Sequence, residues 1–201
     1  MIRLLPITTQ ASPYWDSLVR IYLQSFPIDE QRPIESIARL ITKESHYTLY
    51  AIVNTTDYLP SVADYTSKSS NFFREEGYQQ PIGLLSTWEF EDFIYIEHFA
   101  IEPSLRSQGY GTKAIQTFIQ EHGKPIILEV EPPTNEQSIH RIHFYEWCGL
   151  ILYEYPYIQP AYTPTSNPIP LRLMGTIDLE ATPLTLVSNI LHKEVYALAD
   201  E

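Results

Sequence analysis

The chain has 201 residues, 44% of them hydrophobic and 19% charged. This is the size of one compact domain, with two small ones also open, and the composition excludes a disordered or fibrous chain. Thirteen Lys and Arg against 25 Asp and Glu give a net charge of −12, which repels a phosphate backbone or an anionic membrane and excludes both as partners. No apolar run approaches the roughly 20 residues that span a bilayer, and residues 1–6 are too short for a signal peptide. The lone Cys148 allows neither an internal disulfide nor a cysteine metal cluster, so a cytoplasmic protein resting on its core is expected.

Ser12-Pro13 followed by Trp15, Leu18, Val19, Tyr22, Leu23 and Phe26 has the spacing of a helix, with a cap and a proline at its start. A second helix opens at Pro33 with Ile34, Ile37, Ala38 and Ile41 on one stripe, and residues 46–53 read as a strand. Residues 54–80 are polar, lack periodicity and are long for an internal connection, so a mobile insertion is expected, either a lid or a solvated excursion. Residues 81–90 and 92–101 form an antiparallel hairpin around the acidic turn Glu89-Phe90-Glu91-Asp92.

A glycine turn, Arg106-Ser107-Gln108-Gly109-Tyr110-Gly111, leads into a helix carrying Ala114, Ile115, Phe118 and Ile119 that closes near Gly123. Residues 126–130 are a strand, and residues 135–147 a helix with Ile139, Ile142 and His143 on one face, ended by Gly149. Residues 150–157 and 170–174 read as closing strands. Thr182-Pro183 starts a last helix, through Leu184, Val187, Leu191 and Leu198. No repeat appears, so the expectation is α/β class: one domain over 1–201, a mixed central sheet flanked by helices, and an extra C-terminal helix over 182–198.

Two of only seven glycines, Gly109 and Gly111, stand where a strand hands over to a helix. Glycine there allows positive φ and close approach of a ligand, and the helix N-terminus beyond offers unpaired N–H groups to an anion. A tight connection and a phosphate site both fit. The phosphate-loop pattern is absent, because Lys113 follows Thr112, and the dinucleotide pattern fails at Ala114.

The run Ile101-Glu102-Pro103-Ser104-Leu105-Arg106-Ser107-Gln108-Gly109-Tyr110-Gly111 resembles the pyrophosphate-binding motif of the GNAT superfamily of acetyl-CoA-dependent N-acetyltransferases, Gln/Arg-x-x-Gly-x-Gly/Ala, with Arg106, Gly109 and Gly111 filling it. The order of elements over about 20–175 is similar to that family. So is the segment from Ile142 through Phe144-Tyr145 to Gly149-Leu150. Two departures stand out: the asparagine often found seven or eight positions before the tyrosine stands ten before, at Asn135, and the 54–80 insertion has no counterpart in the minimal fold.

The resemblance implies that CoA is held by Arg106, Ser107, Gln108, Gly109, Tyr110, Gly111 and Thr112. It also implies that the backbone of Phe99, Ala100 and Ile101 pairs with the pantetheine arm, and that Tyr145 is a general acid; a core tyrosine is the other reading. Strand parity puts Phe93, Tyr95, Glu97 and Phe99 on one face. Glu97 then becomes the carboxylate that accepts the amine proton, directly or through water, with His98 on the opposite face. His140 and His143, three apart on a helix, lack a third metal ligand, and no metal is expected. Cys148 reads as a buried small hydrophobe. The segment Tyr153-Glu154-Tyr155-Pro156-Tyr157, continuing to Tyr162, either packs as strand or walls an acceptor pocket, holding a cation with Glu131 or Glu154.

The implied function is acetyl transfer from acetyl-CoA to a primary amine of a small molecule or peptide, by direct attack. The alternatives are a non-catalytic acyl-CoA-binding regulatory module, or transfer of a larger acyl group. The last helix either serves homodimer contacts or covers the sheet.

Overall fold

A computed structural model describes residues 1–55, 79–177, 179 and 181–196. The expected insertion lies outside the described residues except at its ends, and Leu198 lies outside them altogether. The elements run β1 (Ile2–Ile7), α1 (Trp15–Ser25), α2 (Ile34–Lys43), β2 (Tyr47–Asn54), β3 (Gly83–Glu89), β4 (Ile94–Ile101), α3 (Tyr110–Glu121), β5 (Ile126–Val130), α4 (Glu136–Trp147), β6 (Ile151–Leu152), β7 (Tyr157–Gln159), β8 (Ile169–Gly175) and α5 (Ala181–Ile190). A π-helical turn, Leu191–Tyr196, continues α5.

The strands form one mixed sheet in the order β1-β2-β3-β4-β5-β8-β6, with β7 also on β8. β1, which the local pattern did not mark, is an edge strand, where the missing N–H of Pro6 is tolerated. The β3–β4 hairpin is antiparallel as expected, whereas β4 and β5 run parallel. The run 150–157 is two short strands rather than one. Tyr153 N donates to Leu173 O, and the chain then bends through residues 154–156, where Pro156 brings no donor, before rejoining β8 as β7.

Apolar side chains fill both faces. One face packs under α1, α2 and α5, around Leu18, Ile21, Tyr22, Leu84, Trp88 and Leu191. The other packs under α3 and α4, around Ile115, Phe118, Ile142 and Tyr145. The C-terminal helix therefore covers the sheet.

Several local expectations shift. α1 starts at Trp15 after a turn at Ser12, and its Ile21 is buried while Leu23 is exposed. α4 buries Ser138, Ile142 and Tyr145 and leaves Ile139 and His143 outward. Asn135 forms a capping box there, its Oδ1 accepting from Ser138 N at 2.9 Å.

Candidate active site

β4 and β5 pair only over Ile94–Ile96 with Ile126–Leu128. Beyond that they separate, while the other edge of β5 stays paired with β8 through Val130. A cavity of about 810 Å³ opens in the gap, walled by β4, β5, α4, the glycine turn and the chain after α1. The ladder alternation with β3 directs the backbone of Ala100 toward β3 and turns that of Phe99 and Ile101 toward the gap. The expected pantetheine edge is therefore presented by Phe99 and Ile101.

At one end the turn bends through two left-handed residues, Ser107 at φ 61° and Gly109 at φ 77°. Such alternation gathers successive N–H groups into an anion-binding concavity, here at the start of α3. Gly111, expected to share the positive φ, is an ordinary helical residue; a Cβ there would lie 3.4 Å from the Phe144 ring. Arg106 donates from Nε to Ile101 O at 3.1 Å and from Nη2 to Ser25 Oγ at 3.1 Å, tying the turn to β4 and α1. Of the ten residues expected to hold CoA, all but Gln108 and Tyr110 line the cavity.

Parity holds for Phe93, Tyr95 and Glu97, the last with its partners Trp88 and Tyr162 in the same core, but it fails for His98 and Phe99 because β4 carries a bulge. Ser86 pairs with His98 and Thr87 with Ile96, which leaves Glu97 as the extra residue. The faces exchange beyond it: Phe99 stacks on Phe144 of α4 at 6.2 Å, while His98 turns to Tyr22 of α1 and to Phe26 just past its end. His98 is buried, its pKa lowered by burial against the pull of Glu97, and its Nε2 is 3.1 Å from Tyr22 Oη.

The Glu97 carboxylate is wholly buried. Its Oε1 accepts from Arg32 Nε (2.9 Å) and Nη2 (2.7 Å) and from Tyr162 Oη (3.0 Å), and Oε2 accepts from Trp88 Nε1 at 2.8 Å. Burial alone would raise its pKa; Arg32, His98 and these hydrogen bonds outweigh that and hold it below the usual carboxylate range. Arg32 is equally buried, lies 4.7 Å from the Tyr162 ring centroid and donates to Val195 O of the C-terminal turn. The part of Glu97 that reaches the cavity wall is main chain, since its side chain is fully covered.

Tyr145, on α4, lines the gap; among the described residues its hydroxyl has no hydrogen-bond partner, and burial pushes its pKa up to about 12. Cys148 is buried, with a thiol raised to about 11 by burial. His140 and His143 are exposed, and no group of three or more His, Cys, Asp or Glu able to hold a metal occurs among the described residues.

The aromatic segment divides. Tyr155 bonds toward α5, Tyr153 donates to Ile177 O, and Tyr157 and Tyr162 turn inward. Glu154 is exposed, while Glu131 is paired with Arg141 at 2.7 Å beside the cavity. Residue patterns missed Glu129, whose carboxyl burial raises to about 7 against the hydroxyls of Tyr157, Tyr196 and Tyr95. Tyr196 donates to its Oε2 at 2.8 Å. The available signal was a lone acid inside the apolar run Ile126-Ile127-Leu128-Glu129-Val130. Gln159, 4% exposed and also on the cavity wall, was passed over as well.

The family model described as "Acetyltransferase (GNAT) family" matches residues 15–150. A solved structure from Bacteroides thetaiotaomicron, assigned to GNAT acetyltransferases, superposes with a TM-score of 0.80 at 29% identity, covering 96% of this chain and 98% of that one. NAA60 of Arabidopsis thaliana in complex with acetyl-CoA shares the fold at a TM-score of 0.58 and 14% identity, over 87% of this chain and 97% of that one. YjbC of Bacillus subtilis, assigned as an acetyltransferase, is 31% identical over 81 residues, which span 39% of this chain and 40% of the relative's length. No helix among the described residues is long and apolar enough to cross a membrane.

Proposed function

The chain belongs to the GNAT family of acetyltransferases, and from that premise and the geometry of the gap we propose that it moves an acetyl group from acetyl-CoA to a primary amine of a small molecule or peptide by direct attack. The observation that carries this reading is one cavity with an anion-binding turn at one end, the open edges of β4 and β5 along its length, and an acidic, tyrosine-lined chamber at the other.

The turn fits a pyrophosphate: Ser107 and Gly109 gather N–H groups at the start of α3, and Gly111 leaves the space beside Phe144 free. Phe99 and Ile101 offer the amide edge along which an extended arm pairs. Acetyl-CoA supplies the thioester. An N–H at the bulge polarises a carbonyl placed in the gap. The amine nitrogen bonds to the thioester carbon; Tyr145, protonated throughout the neutral range, gives its proton to sulfur as the C–S bond breaks, and the proton shed by the nitrogen restores the phenol.

Glu97 enters as a fixed negative charge that anchors the bulge, because four hydrogen bonds leave its carboxylate no room for an amine. That same engagement favours the rival reading, a non-catalytic acyl-CoA-binding module. Incubation with acetyl-CoA and a panel of primary amines, with free thiol and acetylated product both followed, tests the two. Thiol release in step with an N-acetyl product is the expected result; CoA binding with no turnover on any amine would hand the site to the module.

A further inference from the structure

We propose that Glu129 and Gln159 form the acceptor subsite, Glu129 receiving the ammonium group of a primary amine and Gln159 donating to a neutral oxygen a few bonds away. This rests on the acetyl-transfer reading above for its purpose, and on geometry for its place. Glu129 stands opposite Leu173, Tyr157 opposite Leu171 and Gln159 opposite Ile169. Those three β8 residues alternate onto one face of the sheet, so their partners share it, and Glu129 and Gln159 both line the cavity.

Each has an unsatisfied atom. Gln159 is nine-tenths buried, and its enclosed Nε2 has no hydrogen-bond partner; Glu129 Oε1 makes no well-formed hydrogen bond either. An orphaned donor and an orphaned acceptor on one sheet face, across β8 from each other in the wall of one cavity, are costly unless a ligand answers them. The nearby cations are committed: Arg32 to Glu97 at 2.7 Å and Arg141 to Glu131 at 2.7 Å. Glu129 is left with phenols, Tyr196 orienting its Oε2. A cationic ligand fits that vacancy of charge.

The second group must be neutral. Glu30 and Glu129 line the cavity outside the two ion pairs, so a ligand carboxylate would be repelled, whereas a carbonyl, amide or hydroxyl oxygen accepts from Gln159 without that cost. The chemical class is an amine flanked by a neutral oxygen, as in an amino-acid amide.

Calorimetry of the CoA-loaded protein with L-alaninamide and with n-propylamine at pH 7 tests this. The parent should bind alaninamide about 10- to 100-fold tighter. Gln159→Met, which removes a buried orphan at similar volume and so should fold, should erase that preference and leave propylamine affinity unchanged. Glu129→Gln should weaken both amines at least about tenfold. Equal affinities in the parent, or variants that keep the parent's pattern, overturn the subsite. Alaninamide bound in the expected pattern yet never acetylated would leave the subsite standing and refute acetyl transfer; acetylation indifferent to both substitutions would do the reverse.

Discussion

Replacing Glu97 by glutamine separates a structural ion pair from a catalytic base. In the parent, one carboxylate takes four hydrogen bonds, two of them from a guanidinium with no exposed side-chain surface. Glutamine keeps the shape but has one acceptor oxygen, so its NH₂ must oppose either Trp88 Nε1 or the Arg32 donors, and the Arg32 charge is left uncompensated in the core. Removing one partner of such a pair costs about 3–5 kcal/mol. At about 2–4 °C per kcal/mol for a domain of this size, the melting temperature should fall by about 6–20 °C.

The pH dependence has a definite sign. The folded pKa lies below the usual carboxylate value, so the stabilisation is present above about pH 4.5 and is lost as pH falls through the folded pKa. The gap between parent and variant should therefore be full at pH 7 and close in strong acid. Differential scanning calorimetry across pH reads this directly. A Glu97→Gln protein that melts within 2 °C of the parent but turns over more than 100-fold slower would restore Glu97 as the amine base and refute the reasoning.

Gly109→Val should lower CoA affinity and cost about 1–2 kcal/mol of stability, because the left-handed φ of 77° disfavours a β-branched residue even though nothing crowds the new Cβ; Gly109→Asn, which tolerates that conformation, should recover part of both in calorimetry and thermal melts. Asn135→Ala should lose about 0.5–2 kcal/mol from the α4 cap with CoA affinity unchanged, which a melt and a titration check. Glu129 is the counterpart of Glu97: a carboxyl raised to about 7 makes the folded protein hold its proton longer than the unfolded chain does, so stability falls between about pH 4.5 and 7. Glu129→Gln should remove that fall, raising stability at pH 8 by up to about 3 kcal/mol and hardly at pH 4, as read from denaturant titrations at the two pH values.

The glycine turn and the helix it opens were legible because φ preference and helix starts are local properties. So were the β3–β4 hairpin and the ends of α3 and α4. The bulge at Glu97 was not, nor with it the faces of His98 and Phe99: no glycine or proline marks the irregularity, which arises where β4 must pair with β3 on one side and part from β5 on the other. The Arg32 partner of Glu97 lies 65 residues away, beyond any periodicity. The split between β6 and β7 had a local sign in Pro156. Glu129 read as a strand residue and Gln159 as one beyond the strand over 150–157 until β8 brought their neighbours onto one face, and Tyr196 comes from a C-terminal turn that the core pattern does not include.

The central claim is that the gap between β4 and β5 is a place of reaction, with Tyr145 as the acid. Tyr145→Phe keeps the ring packed in α4 and removes only a hydroxyl that has no partner among the described residues. The kcat of that variant, measured beside its CoA affinity and melting temperature, is the direct test. The account expects kcat to fall about 10²–10⁴-fold, the usual contribution of general acid catalysis, with affinity and melting temperature held. A folded Tyr145→Phe protein turning over within about threefold of the parent would contradict it.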